Sequence, residues 1–341
     1  MSKPIRLVVV GCGHWGPHHI RTFNGFPECR VTAVVDNDRQ RLDRIRTMYP
    51  AILCTTDRVR AFERADAVVI ATPTVTHFEL VREALMKGKH VLCEKPLCET
   101  SIQAGELVAL AKKKRRVLMV GHVFLFNPGI VKLKELLSAG EVGSLRYVSA
   151  VRTNLGPIRN DVNAAYDLAA HDISIFNWLL DSEPEMVTAT GGAYLQPGVE
   201  DVVFISLRYP DNRIANIHTS WLNPKKVRQI TMVGSRKMVT WDDLDLTSPV
   251  AIYDRGASAT PHSSEYGEFL RISMWDADVR LPKVNLEEPL KVQDRQFLDA
   301  IQKGKKGRTR SDGPFALGVV KVLEATSTSL KLGGQPVRVS S

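Results

Sequence analysis

The sequence predicts an α/β fold in two domains: an amino-terminal half built on a parallel sheet, and an α+β half with a large, mostly antiparallel open sheet. Three observations carry this. Apolar runs alternate with helical patterns through the first third, the texture of a parallel sheet with crossover helices. Leu7-Val8-Val9-Val10-Gly11-Cys12-Gly13-His14-Trp15-Gly16 joins a strand to a helix through a glycine turn. Past residue 123 the pattern changes to a helix, a strand, a second helix and then strands with period-two alternation, which places the domains at 1–123 and 124–341.

The first strand is expected at 5–10 and the first helix at 14–24. Gly11 permits the turn, Gly13 lets the backbone approach a pyrophosphate, and Gly16 lets the helix pack on the strand, the pattern of a Rossmann dinucleotide site. His14 and Trp15 offer backbone N–H groups at the helix start, where an anion is stabilised. A second strand at 31–35 ends at Asp36, whose carboxylate suits the two ribose hydroxyls of an adenosine and repels a 2′-phosphate. Asn37 lies beside it and no basic residue is adjacent, so NAD is expected rather than NADP.

A helix at 39–48, a strand at 67–71, a helix at 75–87, a strand at 89–93, a helix at 101–115 and a strand at 117–121 complete this domain. Ligands bind at the carboxyl ends of strands in such sheets. Thr72-Pro73 with His77 follows one end and Cys93-Glu94-Lys95-Pro96-Leu97 another, so Thr72, Pro73, His77, Glu94, Lys95 and Pro96 join the candidate cofactor residues. Pro96 restricts Lys95 to extended geometry and so directs its side chain. The residues alone leave Lys95 open as a group beside the cofactor or a surface lysine in a turn, and Thr72-Pro73 open as a helix-initiating turn.

The second domain is expected to hold a helix at 128–139, a strand at 144–154 and a helix at 164–180. Strands follow at 187–190, 202–209, 213–221, 229–233, 238–241 and 269–274, then helices at 290–303 and 314–331 that return towards the first domain. Tyr166-Asp167-Leu168-Ala169-Ala170-His171-Asp172 puts Asp167 and His171 four apart on one helix face. A carboxylate there orients an imidazole, the arrangement of a general base that takes an alcohol proton as hydride leaves. A helix pair with no chemical task is the other reading, and a metal site lacks a third ligand. Arg152, Asn154 and Arg159 lead into this helix and, with Tyr166, are candidate substrate contacts; surface salt bridging is the alternative for the arginines. The adjacent His18 and His19 do not share a face and read as a solvated or packed pair. Trp221 and Trp241 lie in strand patterns and are expected to be buried.

At 341 residues, 44% hydrophobic and 24% charged, the chain has ordinary globular composition. The five cysteines form no CxxC or Cys/His zinc pattern, so neither a structural metal nor disulfides are expected. No signal peptide or spanning segment is apparent, so a cytoplasmic location and no membrane partner are expected. The net charge of +9 suits anionic small molecules or nucleic acid. The basic runs Lys112-Lys113-Lys114-Arg115-Arg116 and Lys303 to Arg310 follow helical patterns without interleaved aromatics, which favours helix ends over a nucleic-acid surface.

The glycine loop, Glu94-Lys95-Pro96 and the Asp167…His171 helix occur in an order and spacing that resembles the Gfo/Idh/MocA oxidoreductases over the whole chain. The resemblance implies NAD(P)-linked oxidation of a sugar or polyol carbinol. It places Lys95 near the nicotinamide and the reacting oxygen, makes Asp167 and His171 the proton-transfer pair, and implies a homodimer or homotetramer built through the open sheet. Gly13-His14-Trp15-Gly16 and the run from Arg152 through Asn154, Gly156, Arg159, Asp161 and Asn163 to Asp172 look like the nucleotide-sugar members. That implies oxidation of the C3 hydroxyl of a substrate such as UDP-N-acetylglucosamine, a step that serves lipid A assembly. The chain departs from the family pattern at Tyr166 and Ala170, where Trp and Pro are common. Rival readings are a dehydrogenase of a free sugar or inositol, a sugar 3-ketoreductase, or a non-catalytic NAD-binding regulator; the joint presence of Lys95, Asp167 and His171 argues against the last.

Overall fold

A computed structural model describes residues 3–340, apart from 157, 160, 161, 265, 266 and 305–308. Of the residues singled out above, Asp161 and the middle of the second basic run lie outside the described residues. The chain divides into two compact units, Met1–Phe126 with Glu287–Glu324, and Asn127–Leu286 with Ala325–Ser341.

The first unit is built on six parallel strands: β1 (Ile5–Val10), β2 (Cys29–Val35), β3 (Leu53–Thr55), β4 (Ala67–Ile70), β5 (His90–Cys93) and β6 (Leu118–Val120). Their spatial order is β3-β2-β1-β4-β5-β6, so the winding reverses between β1 and β4 and opens a crevice at their carboxyl ends. Helices α1 (Gly16–Asn24), α2 (Arg39–Met48), α3 (Arg58–Glu63), α4 (His77–Met86) and α5 (Ser101–Lys114) form the crossovers. Val8, Val10, Ala33, Val35, Val68, Ile70 and Val91 of the strands are buried in one core with Leu80, Leu85 and Leu107 of the helices. Burial of the strands on both faces explains why they read as unbroken apolar runs. β3 and α3 were not anticipated; three and six residues are too short to show a period. The Lys112-Lys113-Lys114 run is the last turn of α5, where cations complement the carbonyl end of the helix dipole.

The second unit begins with α6 (Pro128–Ser138), β7 (Leu145–Thr153), a π-helical turn (Ala165–Ala169) and α7 (Ala170–Leu180). Then follow β8 (Met186–Gly192), β9 (Val202–Arg208), β10 (Ile214–Ser220), β11 (Val227–Gly234), β12 (Met238–Asp242), β13 (Val250–Ser264), β14 (Gly267–Arg280) and, near the end of the chain, β15 (Val337–Arg338). They form one nine-stranded sheet ordered β14-β13-β12-β11-β7-β10-β9-β8-β15. In this sheet β7 and β10 pair in parallel, with Ala150 opposite Ile217, and the other described pairs are antiparallel. Along β9, Val203, Ile205 and Leu207 are buried while Phe204 is exposed, the alternation of a sheet with one covered face. β13 was not anticipated, because Gly256, Ser258 and Pro261 break any alternation.

The late helices α8 (Pro289–Lys303) and α9 (Gly313–Lys331) are assigned, up to Glu324, to the first unit, where Phe297 meets the ring of Phe23 at 6.4 Å. Among the described residues, no helix is long and apolar enough to cross a membrane.

Candidate functional site

The turn after β1 has the shape a pyrophosphate needs. Gly11 has φ +95°, and a Cβ there would stand 2.5 Å from the Ala71 carbonyl oxygen. A Cβ on Gly16 would collide with the Gly11 carbonyl, which is why α1 lies so close to the strand end. Gly13 differs, since a Cβ there would meet only Arg41 Nη1, at 3.8 Å; its open face leaves the protein backbone free to approach a phosphate. No side chain caps α1 at Trp15, so its first N–H groups suit an anion. These residues fit NAD, for which Gly11 to Gly16 would hold the pyrophosphate and Asp36 the adenosine ribose.

Asp36 is fixed at the end of β2 by two backbone donors, Cys12 N to Oδ2 at 2.6 Å and Asp38 N to Oδ1 at 2.8 Å. Asp38 in turn caps α2 by accepting from the Gln40 and Arg41 amides. That cap swings Arg41 back, so its Nη1 stands 3.8 Å from Asp36 and its Nε 3.2 Å from Asp38. The expectation that no cation neighbours Asp36 is therefore corrected: adjacency in sequence missed a residue brought round by the first helical turn. With a guanidinium already present, Asp36→Ser alone is expected to raise the NADP-to-NAD ratio of kcat/KM by about tenfold or more, since Arg41 is left to meet a 2′-phosphate. An unchanged ratio would place the discrimination elsewhere.

At the ends of β4 and β5, Lys95 is the one residue of 91–98 that is not buried. The Lys95–Pro96 peptide is cis. Of the neighbours expected at the cofactor, His77, Glu94 and Pro96 are buried and brace the turn. His77 Nδ1 lies 2.9 Å from the Pro96 carbonyl oxygen and Nε2 2.9 Å from that of Thr72, so this buried ring ties the two strand ends together. Burial pushes His77 down from its ordinary value, while the two carbonyls and Glu94 pull the other way. The Glu94 carboxylate meets His19 Nε2 at 2.9 Å and accepts from Lys95 N at 3.3 Å. Thr72 shares a hydrogen bond of 2.7 Å with Thr76 and stays half-exposed, with Pro73 exposed beside it.

His122, two residues beyond β6, was missed. It is wholly buried, and neither ring nitrogen has a hydrogen-bond partner among the described residues. Burial, then the charge of Lys95, pushes it down to about 3, so the ring is neutral. A histidine following a strand end of this sheet was a legible signal.

In the second unit, Asn163 Oδ1 accepts from Tyr166 N at 3.1 Å and so begins the helical segment. The expected regular α-helix through Asp167 and His171 is corrected, because Ala165–Ala169 is a π turn, a feature frequent at functional sites. Asp167 Oδ1 accepts from Arg159 Nη1 at 3.2 Å and Oδ2 from the Trp221 indole N–H at 3.3 Å. Arg159 thus serves the candidate catalytic carboxylate, and Trp221, expected only to be buried, also orients it. His171 lies in the first turn of α7, half-buried, with its carbonyl accepting from Ser174 at 2.7 Å. Tyr166 is half-buried, and Asn154 lies over Gly156.

Arg152 is the clearest correction. The alternation of β7 turns it inward, where Nε and Nη2 each donate to Asp172 at 2.8 Å in an almost wholly buried bidentate pair. Its guanidinium holds the start of α7 rather than presenting itself to a substrate.

Residues 5–122 match the family model described as "Oxidoreductase family, NAD-binding Rossmann fold", and residues 130–240 match the "GFO/IDH/MocA C-terminal domain". The chain is 28% identical over 267 residues to UDP-N-acetylglucosamine 3-dehydrogenase of Acidithiobacillus ferrooxidans, covering 75% of this chain and 79% of that one. It is 32% identical over 227 residues to inositol 2-dehydrogenase 2 of Paenarthrobacter aurescens, covering 63% and 68%. GenD2 from gentamicin A biosynthesis, solved in complex with NAD, is similar with a TM-score of 0.83 at 25% identity, over 100% of this chain and 98% of that one. The glycine cradle, the lysine at the end of β5 and the carboxylate-histidine segment thus sit in a chain that belongs to the Gfo/Idh/MocA family of NAD-binding oxidoreductases.

Proposed function

We propose that this protein oxidises the C3 hydroxyl of a nucleotide sugar, UDP-N-acetylglucosamine in the first instance, with NAD as the acceptor. The chemistry is supported by the π turn that holds Asp167 on Arg159 and Trp221 four residues before His171. When bound, NAD supplies a nicotinamide that accepts hydride. His171 takes the hydroxyl proton, and Asp167 favours the charged imidazole that results. Lys95 stabilises the negative charge that grows on the carbinol oxygen.

The substrate class is supported by the extent of similarity to UDP-N-acetylglucosamine 3-dehydrogenase, which spans 75% of the chain. The 32% identity to an inositol 2-dehydrogenase favours a polyol as the second reading. Binding energy from a remote uridine diphosphate positions the ring, so the free sugar is a much poorer substrate under the first reading. Turnover with NAD is therefore compared for UDP-N-acetylglucosamine, UDP-glucose, N-acetylglucosamine and myo-inositol, with the ketone trapped to pull the equilibrium. Higher kcat/KM for the UDP sugar by about a hundredfold or more is expected. Comparable or better efficiency with inositol or a free sugar would replace the first reading with the second.

A further inference from the structure

The core of the first unit contains a chain of charged side chains that ends at the Lys95 backbone amide. Asp294 of α8 and His19 of α1 are both fully buried, and Glu94 at the end of β5 is nearly so. His19 Nδ1 lies 3.2 Å from both Asp294 oxygens, and His19 Nε2 lies 2.9 Å from Glu94 Oε1. Glu94 Oε2 accepts from the Lys95 amide. Asp294 is held from behind, where Thr22 Oγ1 donates to Oδ2 and the Gln293 amide reaches Oδ1 at 3.4 Å, and Gly121 lies so close to Glu94 that a Cβ there would stand 3.0 Å from Oε1.

Burying two carboxylates and an imidazole costs several kcal/mol per ion, and well-packed apolar residues often stabilise a scaffold as well or better. A scaffold alone therefore gives no reason for this arrangement. We propose that His19 and Asp294 are positioning residues for Lys95: the imidazolium, held by Asp294, pins the Glu94 carboxylate and with it the backbone from which Lys95 projects. His77 clamps the far side of the same turn through the Pro96 carbonyl. The proposal rests on Lys95 being the cation that stabilises the carbinol oxygen.

The charge state follows from the surroundings. Burial alone pushes His19 down, but Asp294 and Glu94 outweigh it and raise it to about 10. The other groups facing the pair are the Cys29 thiol on β2, itself raised to about 12 chiefly by burial, Arg21 and His18 on α1, and the ring of Phe23 stacked on the imidazole at 6.1 Å. Without the Asp294 charge, Glu94 alone opposes burial and the proton is released at lower pH.

The test is Asp294→Asn in the full chain. Its turnover with NAD and the sugar that gives most NADH is taken as a ratio to wild type between about pH 6.5 and pH 9, so that His171 and Lys95 ionisations common to both cancel. Histidine nitrogen NMR of the two proteins follows the His19 proton independently of activity. The ratio is expected to fall about tenfold across this range as His19 loses its proton in the variant, while the dissociation constant of NAD, read from tryptophan fluorescence, changes less than about twofold. In a Glu94→Gln background the same substitution is expected to add no pH-dependent loss. A ratio that stays level with pH, whether or not His19 titrates, overturns the proposal and leaves the chain a structural feature. If Asp294→Asn does not fold, His19→Gln takes its place: a lower kcat with unchanged NAD affinity supports the proposal, and wild-type kcat overturns it. Wild-type turnover in Lys95→Met would instead refute the underlying role of Lys95.

Discussion

Lys95→Met and His171→Ala are each expected to lower turnover by about a hundredfold or more while the affinity for NAD changes little. Methionine keeps most of the length of Lys95 and removes its charge, so the loss reports electrostatic stabilisation of the carbinol oxygen. Alanine at 171 removes the proposed proton acceptor but leaves the Arg152–Asp172 pair that holds the same helix. Both effects belong to kcat, because charge develops at the carbinol only as hydride leaves. Steady-state kcat at saturating sugar, with NAD affinity from fluorescence titration, separates the two quantities. Near-native kcat in either variant would remove that residue from the mechanism.

The largest effect on stability is expected from Arg152→Met. Asp172 would be left as a buried carboxylate with its bidentate partner gone, and breaking such a pair costs about 3–5 kcal/mol. The guanidinium and carboxylate are 3% and 2% exposed, so water cannot compensate. The urea midpoint should fall accordingly with an unchanged slope. Replacing both partners with apolar residues, Arg152→Met with Asp172→Leu, should recover much of the loss, since no charge is then stranded. A substrate-contact role predicts the reverse pattern: a raised KM with the urea midpoint untouched.

Much of the first unit was legible because its strands are buried on both faces and read as unbroken apolar runs between helical patterns. The Gly11-x-Gly13-x-x-Gly16 turn, Asp36 and the Lys95 turn lie where the apolar runs end. What pattern alone could not reveal was direction and partnership. Arg152 and Phe204 both occur in alternating strands, yet one faces the interior and meets Asp172 while the other faces out. The choice depends on what covers each face, which is a tertiary fact. Arg41 returns to Asp36 because Asp38 starts α2 where it does, and His19 meets Glu94 and Asp294 across 75 and 275 residues of sequence. The π turn at Ala165–Ala169 has no period-based signature, since its residues are also ordinary helix formers. Trp221 reads as a buried aromatic at any level of inspection short of the position of its N–H.

The proposed hydride transfer from C3 of a nucleotide sugar to NAD can be followed with UDP-N-acetylglucosamine carrying deuterium at C3 only. The enzyme is incubated with this substrate and NAD, and the nicotinamide product is analysed by mass spectrometry and NMR. The reduced cofactor is expected to carry the deuterium at nicotinamide C4. Reduced cofactor without deuterium, or no reduced cofactor when the ketone is trapped, would contradict it.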